Sequence, residues 1–126
     1  MVAPSQARVL PYQMVHYLKK DIVFGDNGTV LTVGIIPSGA TILKAMSGVL
    51  VNVAFNAGTT NVLDIGSSAD GDLYATDLAL GTIAFVALDE AVTMKVSADT
   101  TITATVALAG TAATTGAGVV VIAYIP

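Results

Sequence analysis

Six of the chain's nine acids fall between residues 64 and 90: Asp64, Asp70, Asp72, Asp77, Asp89 and Glu90. Paired carboxylates can share acid–base work, as they do in glycoside hydrolysis. A sugar site also needs flat aromatic platforms, and here there is no tryptophan and only Tyr74 lies near the acids. Asp70-Gly71-Asp72, with Asp64 and Asp77 on either side, invites a calcium reading, because calcium favours clustered carboxylate and carbonyl oxygens. The twelve-residue EF-hand spacing is not matched and its closing glutamate is missing. Asp and Gly together also make plain turns, since Asp bonds its own backbone and Gly takes positive φ. The expectation is therefore a turn, with ion binding by Asp64, Asp70, Asp72 and Asp77 left open.

Other chemistries are poorly provided for. His16 is the single histidine and there is no cysteine. That removes thiol chemistry, and nucleophilic catalysis would have to rest on one base. A zinc site would need three carboxylates or waters beside His16, a set zinc rarely uses. No glycine run opens a helix with phosphate-binding spacing, and Gly116-Ala117-Gly118 leads into a strand. The expectation is no enzyme, no cofactor and no metal.

The elements that must carry these residues read as short strands. Thr101–Leu108 alternates most clearly, with Ile102, Ala104, Val106 and Leu108 on one face and threonines on the other. Val49, Val51, Val53 and Phe55 likewise share a face. Val119–Tyr124 is apolar on both faces, which marks a central or covered strand. Asp21–Phe24 and Thr29–Ile36 flank Gly25-Asp26-Asn27-Gly28, a hairpin signal because Asn-Gly accepts positive φ. Thr41–Met46, Val62–Ile65, Thr82–Leu88 and Val92–Val96 read as further strands, Gly66–Asp72 as a polar loop, and Leu73–Leu80 as a helical turn or connection. Only Tyr12–Lys20 hints at helical spacing. Eight or nine short strands with turns between them predict an all-β fold. The form expected is a two-sheet antiparallel β-sandwich, a jelly roll of about eight strands, with an extended N-terminal arm.

Composition fits that reading once its make-up is considered. The 126 residues are 54% hydrophobic and only 11% charged, against about 25% charged in an ordinary soluble domain. Twenty alanines and seventeen valines supply over half of the hydrophobic total. The apolar runs are six or seven residues, far below the roughly 18 a membrane helix needs, and Met1–Gln13 does not read as a secretory signal. Charge is sorted along the chain. Residues 1–20 hold Arg8, Lys19 and Lys20 with no acid, whereas residues 21–126 hold Lys44 and Lys95 against all nine acids. We therefore divide the chain into a basic arm over residues 1–20 and a sandwich over residues 21–126. Three cations are too few for a nucleic-acid footprint. They suit an arm that lies on an acidic protein neighbour, with Arg8, Tyr12, His16, Tyr17, Lys19 and Lys20 as its candidate partner-binding residues.

One stretch of sequence goes further. Ile36-Pro37-Ser38-Gly39-Ala40, then VNVAFNAGTTNVLDI over residues 51–65, then Gly66-Ser67-Ser68-Ala69-Asp70-Gly71-Asp72-Leu73-Tyr74-Ala75-Thr76, and the close Ala123-Tyr124-Ile125-Pro126, resemble the capsid cement or decoration proteins of short-tailed bacteriophages. The resemblance covers roughly residues 29–126 and leaves the arm outside it. It implies a jelly-roll domain on the capsid exterior, made in the host cytoplasm. Its partners would be the major capsid protein and further copies of itself, as a dimer or trimer, with no nucleic acid and no membrane. The alternatives are a phage tail or receptor-binding sandwich, and a non-viral carbohydrate-binding module. Sparse surface charge agrees with the first reading, since each charge buried in an interface costs several kcal/mol to desolvate.

Overall fold

A computed structural model describes residues 14–126. Arg8 and Tyr12, two of the candidate arm residues, lie outside them. The described chain forms nine strands and two short 3-10 turns: β1 (His16–Val23), β2 (Val30–Ile36), β3 (Thr41–Ile42), β4 (Gly48–Val53), β5 (Thr60–Ser67), β6 (Ala75–Ala79), β7 (Phe85–Ala87), β8 (Thr100–Ala109) and β9 (Ala117–Ile125).

Two antiparallel sheets result. One has the order β1-β9-β4-β7, with the short β3 also on β9; the other has the order β2-β8-β5-β6. The pairing is nested: β1 with β9, β2 with β8, β4 with β7, β5 with β6. Successive nested pairs fall alternately in the two sheets, as the expected eight-strand jelly roll requires.

The period-two strands build the core. Ile102, Ala104 and Val106 of β8 are fully buried, and so are Leu63 and Ile65 of β5 opposite them. From the other sheet come Val49 and Val51 of β4, Val120 and Ile122 of β9, and Ile22 of β1. Strand β9 lies between β1 and β4, the central position its two apolar faces predicted. Aliphatic side chains of this kind each contribute roughly 1.5–3 kcal/mol when buried.

Several expectations need correction. The arm does not reach residue 20: His16–Lys20 belong to β1, which pairs residue for residue with β9 from His16↔Tyr124 to Val23↔Ala117. This also replaces the helical hint over Tyr12–Lys20 with strand from His16 onward. Gly25–Gly28 does not close a hairpin, because β1 and β2 are in different sheets. Phe24–Asp26 is a 3-10 turn in which Asp26 Oδ2 accepts the Val23 N–H at 2.9 Å. Asn27 then clips both backbone groups of Leu108, at 2.9 and 3.3 Å, so the turn crosses from one sheet to the other. Leu73–Leu80 contains strand β6. Thr41–Met46 is strand only at Thr41–Ile42, followed by a 3-10 turn at Lys44–Met46. Val92–Val96 makes a single bridge, Thr41↔Lys95.

Candidate interaction surface

The carboxylates come first, and the fold uses them on its own backbone. Between β5 and β6 the register slips, with Leu63 opposite Leu78 but Ile65 opposite Ala75. Asp77 sits in that bulge at φ +55°, a left-handed conformation that Asp tolerates better than most residues. Asp64 Oδ1 accepts the Asp77 N–H at 2.8 Å and Asp89 Oδ1 accepts the Thr76 N–H at 3.0 Å. Both donors lie in the slipped stretch of β6, so the acids satisfy groups that the ladder drops. Among the described residues no three His, Asp or Glu side chains are grouped as metal ligands. Tyr74 is buried in the core rather than offered as a platform, and burial pushes its phenol above the ordinary 10.0.

Asp70 and Asp72 remain on the surface. A side-chain hydrogen bond with Asp70, together with repulsion from its charge, holds the Asp72 carboxyl above the usual 3.8. The folded chain therefore binds more protons than the unfolded one from about pH 3.8 up to that raised value. Stability falls as pH rises through the window and stays lowered above it. Asp72→Asn is expected to raise the urea midpoint at pH 7 and to leave it unchanged at pH 3. A rise of equal size at both pH values would contradict this origin.

A cleft lined by Phe24, Asn27, Ala57, Leu108 and the loop Gly110–Ala113 contains no ionisable side chain. Asn27 is already bonded to Leu108. Nothing in the cleft can move a proton. No helix among the described residues is long and apolar enough to cross a membrane.

The distinctive surface is the outer face of the β1-β9-β4-β7 sheet. Side chains that alternate away from the core line up in rows across the strands. One row is Asp21, Val119, Leu50 and Phe85; the next is Lys19, Val121, Gly48 and Ala87. Beyond them lie Tyr17 beside Ala123, and Val23, Ala117 and Val53. Tyr17 is 66% exposed, and Val23, Leu50, Val53 and Phe85 are each between 42 and 46% exposed. The opposite outer face, on β2-β8-β5-β6, presents Thr32, Thr101, Thr105 and Asp64 at the corresponding positions, with Thr103 buried among them and Val30 and Ile35 near its edge. One face is aliphatic and aromatic, the other rich in threonine.

The structure divides the arm residues that it describes. Tyr17 and Lys19 stand together on the aliphatic face, which the sequence reading did not anticipate as a surface. His16 alternates to the other side and stacks on Tyr124, with ring centroids 5.6 Å apart. Lys20 is exposed and shares the His16 side of the strand. Leu50, Phe85, Val119 and Val121 were not singled out as a site. Their signal was present in part, as the second apolar face of Val119–Tyr124.

These features define an antiparallel β-sandwich with one oily outer face. No family model matches the chain, and no curated protein matches it. Among solved structures, the cyanophage Pam1 capsid asymmetric unit contains a chain of similar fold, with a TM-score of 0.68 and 18% identity, over 100% of this chain and 93% of that one. At that identity the likeness is one of fold.

Proposed function

We propose that this protein is a structural, non-enzymatic virion component that binds the outside of a phage capsid and reinforces the lattice of the major capsid protein. The observation that carries the reading is the fold likeness, end to end, to a chain from a capsid asymmetric unit. The AFNAGTTN and DIGSSADGD motifs support it with their resemblance to cement proteins. In this structure their asparagines are clips: Asn56 Oδ1 accepts the N–H groups of Thr114 and Thr115, and Asn61 bonds both backbone groups of Ala57. The motifs thus fix loops between strands. A low-charge surface with an oily face is what a subunit covered by neighbours needs.

The test is copy number and shell binding. Hundreds of copies on intact virions, together with saturable binding of purified protein to undecorated shells, support the role. A handful of copies per particle assigns the protein to the tail instead, and no binding at all refutes it. The boundary found at His16 sharpens a second expectation. Deleting residues 1–13 keeps β1 whole, whereas a cut at residue 18 would remove its first residues. The 14–126 chain is expected to fold and to bind shells about tenfold more weakly, as loss of one modest set of contacts would predict. Lys20→Glu is expected to weaken binding too, and more at low salt than at high. Unchanged affinity in both variants would show that this end of the molecule does not touch the shell.

A further inference from the structure

The two middle rows of the aliphatic face are complementary to each other. One reads Asp21, Val119, Leu50, Phe85 and carries a negative charge and large side chains; its neighbour reads Lys19, Val121, Gly48, Ala87 and carries a positive charge and small ones. Turning a second copy by a half-turn about an axis lying in the face, perpendicular to the strands and midway between these rows, exchanges them. Each strand then runs antiparallel over its own counterpart. Leu50 falls over Gly48 of the other copy, Phe85 over Ala87, Val119 over Val121, and Asp21 over Lys19. The flanking rows obey the same operation, Tyr17 meeting Val23. A two-fold contact must be self-complementary in this way, and a knob against a gap suits face-to-face sheets about 10 Å apart.

We propose that the outer face of the β1-β9-β4-β7 sheet is a two-fold interface between two copies of this chain, with Lys19 and Asp21 as its reciprocal charge pair. The area is adequate. Tyr17, Val23, Leu50, Val53 and Phe85, with Val119 and Val121 partly exposed between them, leave on the order of 500 Å² of apolar surface open, within the range of the largest patch on one monomer. Two such faces bury on the order of 1,000 Å², about the least a specific interface needs. Lys19 and Asp21 are the only charges in these rows, so little is desolvated without a partner. The dimer deepens the shell-protein reading but stands on geometry alone. Failure to bind shells would leave it intact.

The experiment is sedimentation velocity on the full chain from about 1 to 100 µM, a range that brackets a micromolar association. A dimer is expected. Leu50→Asp, on the exposed side of β4, is expected to give a monomer with unchanged circular dichroism. Lys19→Glu sets two acids against each other on both sides of the axis, where β1 crosses β1, and is expected to weaken association at least about tenfold. The exchange Lys19→Glu with Asp21→Lys restores opposite charges at both contacts and is expected to recover most of it. Lys20→Glu, off this face, leaves the dimer as it was. A monomer at every concentration, a trimer, or a dimer indifferent to Leu50→Asp and Lys19→Glu overturns the proposal. So does a chain that dimerises only once residues 1–13 are removed, which would make those residues the face's own cover.

Discussion

Gly48→Ala is expected to destabilise the sandwich by about 3 kcal/mol or more, at the top of the range for overpacking a closed site. Gly48 begins β4 and faces Val121 of β9 on one side and Ala87 of β7 on the other. A methyl group there would overlap the Val86 carbonyl oxygen and lie 2.8 Å from the Ala87 Cα. Both obstacles are backbone, so neither can rotate away. Its φ of +153° is also one that side chains rarely adopt. Relief would require β7 to leave the sheet, and β7 has only three residues, Phe85–Ala87, to hold it there. Gly25 is the control: nothing lies within 4 Å of a Cβ at that position, and Gly25→Ala is expected to stay within about 0.5 kcal/mol of the parent. Urea unfolding of the two variants checks the contrast. A Gly48→Ala midpoint equal to that of Gly25→Ala would mean that β7 yields without cost, and that the aliphatic face is looser than its register implies.

The same strands show where sequence is informative. Strand β8 was legible because Ile102, Ala104 and Val106 alternate with threonine along its middle, and period two has no competing explanation there. Strand β9 was legible as central because both its faces are apolar. Strand β1 was obscured by Lys19, Lys20 and Asp21 in succession. An edge strand can carry charge on both sides, and Lys20 is exposed although it alternates with Leu18 and Ile22, so the apolar rhythm is lost. Strand β6 was obscured by the bulge at Asp77, which breaks the alternation where the fold needs an irregular step. Val92–Val96 has strand-like residues, yet its pairing is limited to a few bonds, the carbonyls of Met94 and Val96 accepting from Ile42 and Gly39. The Asn27-Gly28 signal was real as local conformation, since Gly28 has φ +78°. Its partner was misassigned because Asn27 bonds Leu108, 81 residues away. The interaction surface was the least legible part. Tyr17 and Lys19 could be noticed as exposed, but Leu50 and Phe85 become neighbours only through the β4–β7 pairing, which local sequence does not encode.

Ser47→Ala is the other change expected to have a large effect, about 1–3 kcal/mol, the cost of leaving a buried donor without a partner. Strand β4 begins at Gly48 opposite Val121. Two residues further along β9, the chain that would have continued β4 has turned into the 3-10 segment Lys44–Met46. The Ala123 N–H would be orphaned there, deep in the molecule. The Ser47 hydroxyl, fully buried, stands in for the missing strand. It accepts the Ala123 N–H at 2.9 Å and donates to the Leu43 carbonyl at 2.8 Å. One side chain thus joins the turn to the central strand of the sheet that carries the aliphatic face. Alanine keeps nearly the same shape and removes only these bonds, so the loss is not one of packing. Hydrogen exchange identifies the cause: the Ala123 amide is expected to exchange much faster in Ser47→Ala, while amides in the middle of β8 change only as far as global stability does. Thr at position 47 would keep the hydroxyl but add a methyl to a site with no free space, and is expected to recover the Ala123 protection while remaining below the parent in stability. If Ser47→Ala unfolds at the parent's midpoint and Ala123 stays protected, another group must satisfy that N–H, and the turn does not depend on the serine for its attachment to β9.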